Sequence, residues 1–155
     1  MSVPVVYDTM VFLQAAARPD RVKTTFRAVH EKRVILFLSP ELLAEIHDVL
    51  NRVSVKAKFP ALTDDAVKIF IADVLSHSQM IQNVPKLFSW PQHPDDDHLF
   101  NLAISAKAMH LVTWETRILK LAAESTPAAN SFRQMAPGLS IITPKELADL
   151  LGSAR

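Results

Sequence analysis

Acidic residues recur in this chain where apolar segments end: Asp8 in VVYDTMVF, Glu45 in SPELLAEIHDVL, the triplet Asp95, Asp96 and Asp97 in HPDDDHLFNLAISA, and Glu115 in HLVTWETRIL. Carboxylates ordinarily scatter over a solvated surface, and crowding them at the ends of buried elements is costly without a counter-cation. Oxygen ligands of this kind suit Mg2+ or Mn2+. The pattern therefore predicts one electronegative pocket built to hold such an ion.

Each acid also has a simpler reading. Asp8 suits the N-cap of a helix. Glu41, Glu45, Asp48 and Arg52 recur at three- and four-residue spacing, as on a solvated helix face, with Asp48 and Arg52 as a pair. The two glutamates of that stripe repel unless a cation or salt bridge intervenes. Asp95, Asp96 and Asp97 in a first helical turn meet the helix dipole favourably. Their register separates them: Asp96 precedes Phe100 and Ala103, and Asp95 precedes Leu99, Leu102 and Ala106, whereas Asp97 precedes the more polar Asn101 and Ile104. Asp96 or Asp95 is thus expected to point toward a sheet and Asp97 toward water. Glu115 can equally begin a surface helix. The joint occurrence carries the metal reading.

The elements that must position these acids follow from hydrophobic patterning. Val3 to Tyr7 reads as a buried strand, followed by a helix from Asp8 or Thr9 to Ala17; after Arg18-Pro19-Asp20 a second helical stretch reaches about His30. Val34 to Leu38 reads as a second buried strand. Ser39 then caps a helix with Pro40 in its first turn, carrying Leu42, Ile46, Val49 and Val53 at helical spacing through Arg52. The segment NRVSVKAKFPALTDD reads as a loop, Thr63 to Ser78 as a helix, and Ile81 to Val84 as a short strand. Pro85 to Pro94 is a connection, Asp95 to Ala108 a helix, Met109 to Thr113 a strand and Glu115 to Glu124 a helix. The tail ends in a strand at Leu139 to Ile142 and a helix from Thr143, where Thr143-Pro144-Lys145-Glu146 matches a capping box. Alternating strands and helices imply parallel crossovers and a central sheet covered on both faces. Ligands bind such sheets outside the strands' carboxyl ends, where Asp8 and Glu115 fall.

Composition narrows the alternatives. A chain of 155 residues, nearly half of them apolar, fits one domain with its own core. With no cysteine there is no disulfide, thiolate zinc site or cysteine nucleophile, and with only Gly138 and Gly152 there is no P-loop or dinucleotide fingerprint. The six histidines form no HExxH, and His93 with His98 lacks a third partner, which argues against zinc. Ser39 and Thr113 lack a GxSxG setting and read as strand-end hydroxyls that support an acid or the backbone. The opening MSVPVVYDTMVFLQ has no basic leader and no window offers a membrane span, so a soluble cytoplasmic protein is expected. A formal charge of +1 does not attract nucleic acid in bulk, so any polyanion must be held locally.

These residues resemble the PIN-domain nucleases, in particular the branch described as toxin components of toxin–antitoxin systems, over nearly the whole chain. The opening strand with Asp8 and Thr9 is similar to that family's Asp-Thr-Asn, with Met10 in place of the Asn. Ser39 six residues before Glu45 is similar to its second signature. Pro94, Asp95 and Asp96 are similar to its Asp-Pro-Asp-Asp helix start, with His93 in place of the first Asp, and Thr113 and Glu115 to its Leu-Val-Thr-x-Asp strand end, with Glu for Asp. The resemblance implies a single three-layer α/β/α domain over residues 1–155 with a central, mainly parallel sheet. It also implies a metal-dependent endoribonuclease in which Asp8, Glu45, Asp96 and Glu115 serve as catalytic metal ligands for Mg2+ or Mn2+, with Asp95 and Asp97 as alternates and Thr9, Ser39 and Thr113 in support. RNA as substrate, a cognate antitoxin as partner and a homo-oligomer are implied in the same way. Arg52, Lys56, Lys58, Arg117 and Lys120 are candidates to flank the groove. Two competing expectations are an RNA-binding or protein-interaction module that has lost catalysis, motivated by Met10, His93 and Glu115, and a structure-specific DNA nuclease using the same chemistry.

Overall fold

The computed structural model describes residues 2–18 and 23–153. Its centre is a five-stranded, all-parallel sheet made of β1 (Val3–Tyr7), β2 (Val34–Leu38), β3 (Ser78–Met80), β4 (His110–Val112) and β5 (Ser140–Ile142), in the order β3-β2-β1-β4-β5. Helices flank it, giving a three-layer α/β/α arrangement: α1 (Thr9–Ala17), α2 (Lys23–His30), α3 (Pro40–Leu50), α4 (Val53–Lys58), α5 (Asp64–Ser76), α6 (Asp97–Ser105), α7 (Thr116–Leu121), α8 (Pro127–Met135) and α9 (Pro144–Ser153). Successive strands step from β1 outward to β2 and β3. The chain then crosses back to place β4 on the other side of β1. The gap between the carboxyl ends of β1 and β4 is therefore the switch point at which an open sheet leaves a crevice.

The buried apolar runs form β1 and β2 with the bounds read from the sequence, because Val5, Val6, Tyr7, Val34, Leu36 and Leu38 are all enclosed. Tyr7 lies among Phe12 and Phe26 and donates its hydroxyl to the Thr25 carbonyl at 2.9 Å, so its phenol is buried without an orphaned donor. Capping follows the expected chemistry at two helices. Ser39 Oγ accepts from Leu42 N at 3.1 Å, and Thr143 and Glu146 exchange reciprocal bonds of 3.1 and 3.2 Å at the start of α9.

Four expectations about elements need correction. The third strand is Ser78–Met80, not Ile81 to Val84. Pairing with β2 selects it, and only Ile81 N extends the ladder, to Leu38 O, before Asn83 takes a positive φ of 54° and turns the chain away. The segment after Arg52 contains α4, a short helix with no buried residue and hence no apolar periodicity to betray it. Asp95 to Ala108 is a 3-10 turn at Pro94–Asp96 followed by α6. Finally α8, capped by Thr126 with Pro127 in its first turn, was not anticipated. The start expected for the second helix, just after Arg18-Pro19-Asp20, lies outside the described residues.

The polar face of α6 also departs from expectation. Asn101 is only 3% exposed, and its side chain accepts from Leu87 N at 3.0 Å and Phe88 N at 2.7 Å while donating to Phe88 O at 3.1 Å. Asp97, expected to face water, is half-buried and accepts from Trp90 N at 2.8 Å. Together they bind the proline-containing connection to the helix. Asn101→Leu keeps the volume but orphans three backbone groups, so it is expected to lower stability by about 2–4 kcal/mol in urea denaturation, and a loss under about 1 kcal/mol would show that the connection is held by its aromatic packing alone.

Candidate functional site

The sheet ladder brings Asp8 to Thr113 across 105 residues of sequence. Asp8 N donates to Val112 O at 2.9 Å, and Thr113 N donates to Ile142 O at 2.9 Å, so both residues sit just past the strand ends at the switch point. There the fully buried Thr113 hydroxyl donates to Asp8 Oδ2 at 2.8 Å and accepts from Glu115 N at 3.0 Å. One hydroxyl thus holds the carboxylate of one candidate ligand and the backbone of another.

Asp96 reaches the same place from the 3-10 turn that precedes α6. Arg117 ties it to Glu115: Nε and NH2 donate to Asp96 Oδ2 and Oδ1 at 3.0 and 3.3 Å, and NH1 donates to Glu115 Oε2 at 2.9 Å. The hydrogen bond to Asp96 and the charges of Asp96, Glu115 and Asp8 hold the guanidinium pKa above its ordinary value. Arg117 was expected on the flank of a groove. It lies instead among the acids, donating to two of them.

Among the described residues Asp8 receives no such hydrogen bond from a cation. Burial pushes its pKa up, the charges of Glu115 and Asp96 add to that, and the hydrogen bonds from Thr113 and Thr9 only partly oppose them. A desolvated carboxylate between two other acids is what a cation-binding centre requires, and all the donors are oxygens. The donor type is therefore that of a hard divalent ion, with the Arg117 guanidinium showing that positive charge is accepted between Asp96 and Glu115.

Glu45 is held differently. His98 Nε2 contacts its Oε2 at 2.8 Å, and this hydrogen bond lowers the Glu45 pKa against the opposing effect of burial. Burial disfavours the His98 imidazolium, but the hydrogen bond and charge of Glu45, with Glu41 and Asp96 beyond, outweigh it and raise the pKa. The buried Thr9 hydroxyl, next along the chain from Asp8, has no hydrogen bond of normal geometry but lies near enough to Glu45 to help hold that carboxylate's pKa down. Ser39 is buried and spends its side chain on capping α3, the helix that carries Glu45. Among the described residues, no three of Asp8, Glu45, Asp96 and Glu115 place oxygens all within 4.8 Å of one another.

Of the alternates, Asp95 is exposed and Asp97 serves the Trp90 connection. The flanking lysines and arginine divide: Arg52 pairs with Asp48 and Lys56 with Asp64, while Lys58 lies over the Phe59 ring at 5.6 Å. His98 is a contributor that sequence reasoning set aside by asking it to be a zinc ligand. Its place two residues after Asp96, in the first turn of a helix facing Glu45, was the available signal. Trp114 is also new to the site: 39% exposed beside Glu115, its indole N–H is fixed on Gln14 Oε1 at 2.6 Å. A cleft of about 530 Å³ opens beyond His98, lined by Ser39, Glu41 and Lys86 among others but by none of the four candidate ligands.

Among the described residues no helix is long and apolar enough to cross a membrane. A family model described as PIN domain matches residues 4–117, a span that contains Asp8, Glu45, Asp96 and Glu115. No curated protein matches the chain closely enough to extend that comparison.

Proposed function

Because the chain belongs to the PIN-domain family, whose members are generally metal-dependent nucleases that bind nucleic acid, we propose that it is an endoribonuclease, the toxin of a toxin–antitoxin pair. The observation that carries the nuclease reading is the convergence of Asp8, Asp96 and Glu115 at the β1–β4 switch point, with Asp8 desolvated and unneutralised. The toxin assignment rests on the sequence resemblance to that branch, and with it the antitoxin as partner and the homo-oligomer.

In this reading Asp8, Glu45, Asp96 and Glu115 hold Mg2+ or Mn2+. When bound, the ion lowers the pKa of a water molecule and neutralises charge on the phosphate under attack. The residues of the chain do the rest. Thr113 locks the Asp8 carboxylate and the Glu115 backbone, and His98 positions Glu45. Arg117, planar and always charged, contacts phosphate oxygens of a bound strand at the rim of the carboxylates. Trp114 offers an exposed ring face against which a base stacks.

A second reading has a specific observation in its favour. Glu45 already has His98, and Asp96 and Glu115 already have Arg117, so among the described residues Asp8 is the one of the four without a direct ion pair. A carboxylate set neutralised from within suits a module that binds RNA or protein without cutting.

The cut ends separate these readings and also exclude a histidine ribonuclease. An attacking water does not need the RNA 2′-hydroxyl, so an RNA with one 2′-deoxy sugar at the scissile position is expected to be cut in Mg2+ or Mn2+, leaving a 5′-phosphate and a 3′-hydroxyl. Loss of cutting there, with 2′,3′-cyclic phosphate ends on ordinary RNA and indifference to EDTA, would sink the proposal. Binding of RNA without any cutting favours the module, and equal cutting of a matched all-DNA strand favours a DNA nuclease.

A further inference from the structure

His30, Asp73 and His77 come together on the opposite edge of the sheet from the carboxylate centre. His30 is the last residue of α2, which leads into β2, and His77 directly follows α5 and precedes β3. Helices that feed parallel strands end at the strands' amino edge, whereas Asp8, Thr113 and Glu115 lie past the carboxyl ends. One nitrogen of each ring and one Asp73 oxygen lie within 4.8 Å of one another.

Both rings lean on the carbonyl one helical turn earlier. Nδ1 of His30 lies 2.7 Å from Phe26 O, and Nδ1 of His77 lies 2.9 Å from Asp73 O, in each case the carbonyl four residues earlier. A carbonyl only accepts, so each Nδ1 carries the hydrogen in the metal-free protein; His30 turns Nε2 toward the Asp73 carboxylate, whereas His77 turns Nδ1 toward it, 3.4 Å from Oδ1 and 3.0 Å from Ser76 Oγ. The His30 arrangement is the one in which metal-bound histidines are ordinarily held by their second nitrogen. At His30 it has a direct consequence. Nε2 sits 2.8 Å from Asp73 Oδ2, so a neutral ring sets lone pair against carboxylate, and a cation is required between or on them.

A proton can fill that role at one ring, but the ring centroids are only 4.4 Å apart, and two imidazolium charges at that distance repel. A divalent ion serves both nitrogens and the carboxylate at once. Two helix C-termini also end here, and their dipoles favour positive charge. Two imidazoles and one carboxylate form a borderline set with room for water, which matches zinc rather than the all-oxygen preference of magnesium.

We propose that His30, Asp73 and His77 form a second, zinc-class metal site that clamps α2 to α5 at the β2–β3 end of the sheet. The site is independent of the carboxylate centre in both position and metal preference. It ties down an edge strand, since β3 pairs with β2 through three residues. Because the chain has no cysteine, no thiolate competes for the ion.

The test uses the full chain without a histidine tag, carrying Asp8→Asn so that the carboxylate centre is impaired, and titrates ZnCl2 by calorimetry beside thermal melts. One zinc per chain is expected to bind and to raise Tm by roughly 5 °C or more at saturating metal. His30→Gln and His77→Gln are each expected to weaken that binding more than tenfold, with MgCl2 producing neither effect. Circular dichroism checks that both variants fold, and Asp73→Asn provides a third route should either fail. Zinc binding that is absent, or that persists undiminished in the His30→Gln and His77→Gln variants, overturns the proposal. Neither result bears on the nuclease reading, which is decided by cleavage at the other edge.

Discussion

Asp8→Asn is expected to reduce RNA cleavage by at least about 100-fold while leaving the metal-free protein as stable as before or slightly more so. In the proposed reading Asp8 is a direct metal ligand, and even outer-shell partners of a metal cost about 10- to 100-fold when removed. The stability sign follows from the electrostatics of the site. Asp8 is an acid whose folded pKa lies above its unfolded value, because burial and the charges of Glu115 and Asp96 disfavour its ionised form. In the pH interval between the two values the folded state holds more protons, so stability falls as pH rises, and the deficit is complete above the folded value. Asparagine removes the deficit and can still accept the Thr113 hydroxyl. The gain should therefore appear near neutral pH and vanish as pH falls through the folded and then the unfolded value of Asp8. Thermal melts in EDTA across pH, paired with gel-based cleavage, measure both. A variant that cuts RNA at the normal rate removes Asp8 from the metal, and a variant that melts well below the parent at neutral pH shows that the carboxylate is neutralised in a way the structure does not contain.

The parts of this architecture that were legible in sequence are those in which local chemistry and tertiary demand agree. Val3 to Tyr7 and Val34 to Leu38 are central strands enclosed on both faces, so continuous apolar runs revealed them. Ser39-Pro40 and Thr143-Pro144 announce helix starts because capping is local. The edge strand was misplaced because Ser78–Met80 is chosen by its pairing to β2 rather than by its own hydrophobicity, and Ile81 to Val84 looked the better strand in isolation. In the site, the positions of Asp8 and Glu115 at strand ends were readable from the period of the chain. What joins them was not. Arg117 meets Asp96 across 21 residues, and His98 meets Glu45 across the gap between two helices, so these pairs depend on the packing and not on any spacing. The same limit hid His30 from Asp73 and His77, which lie 43 or more residues away in sequence and meet it only through the packing of α2 against α5. Asp97 and Asn101 were misjudged because a polar helix face was equated with solvent, when here it satisfies the backbone of the Leu87 to Trp90 connection.

Asp96→Asn is expected to lose cleavage to the same extent as Asp8→Asn but to shift stability in the opposite direction. Crowding alone predicted relief from removing either acid. The structure divides them: Asp8 bears the unneutralised charge, whereas Asp96 receives two hydrogen bonds from Arg117. Asparagine keeps one acceptor but loses the charge, leaving Arg117 to Glu115 alone. The guanidinium side chain is 41% exposed, so water offsets much of the loss, and the destabilisation should be no more than about 1 kcal/mol. Asp95→Asn supplies the control, because that side chain is exposed and forms none of the site's contacts; both its activity and its Tm should stay near the parent. Asp97→Asn should keep activity as well, since the amide oxygen can still accept from Trp90 N. Full activity in Asp96→Asn with a dead Asp95→Asn or Asp97→Asn would place a different carboxylate on the metal and shift the start of α6 by one residue. A common metal-free melting increase for Asp8→Asn and Asp96→Asn would instead mean that Arg117 leaves Asp96 in solution, and that both acids are restrained by mutual repulsion.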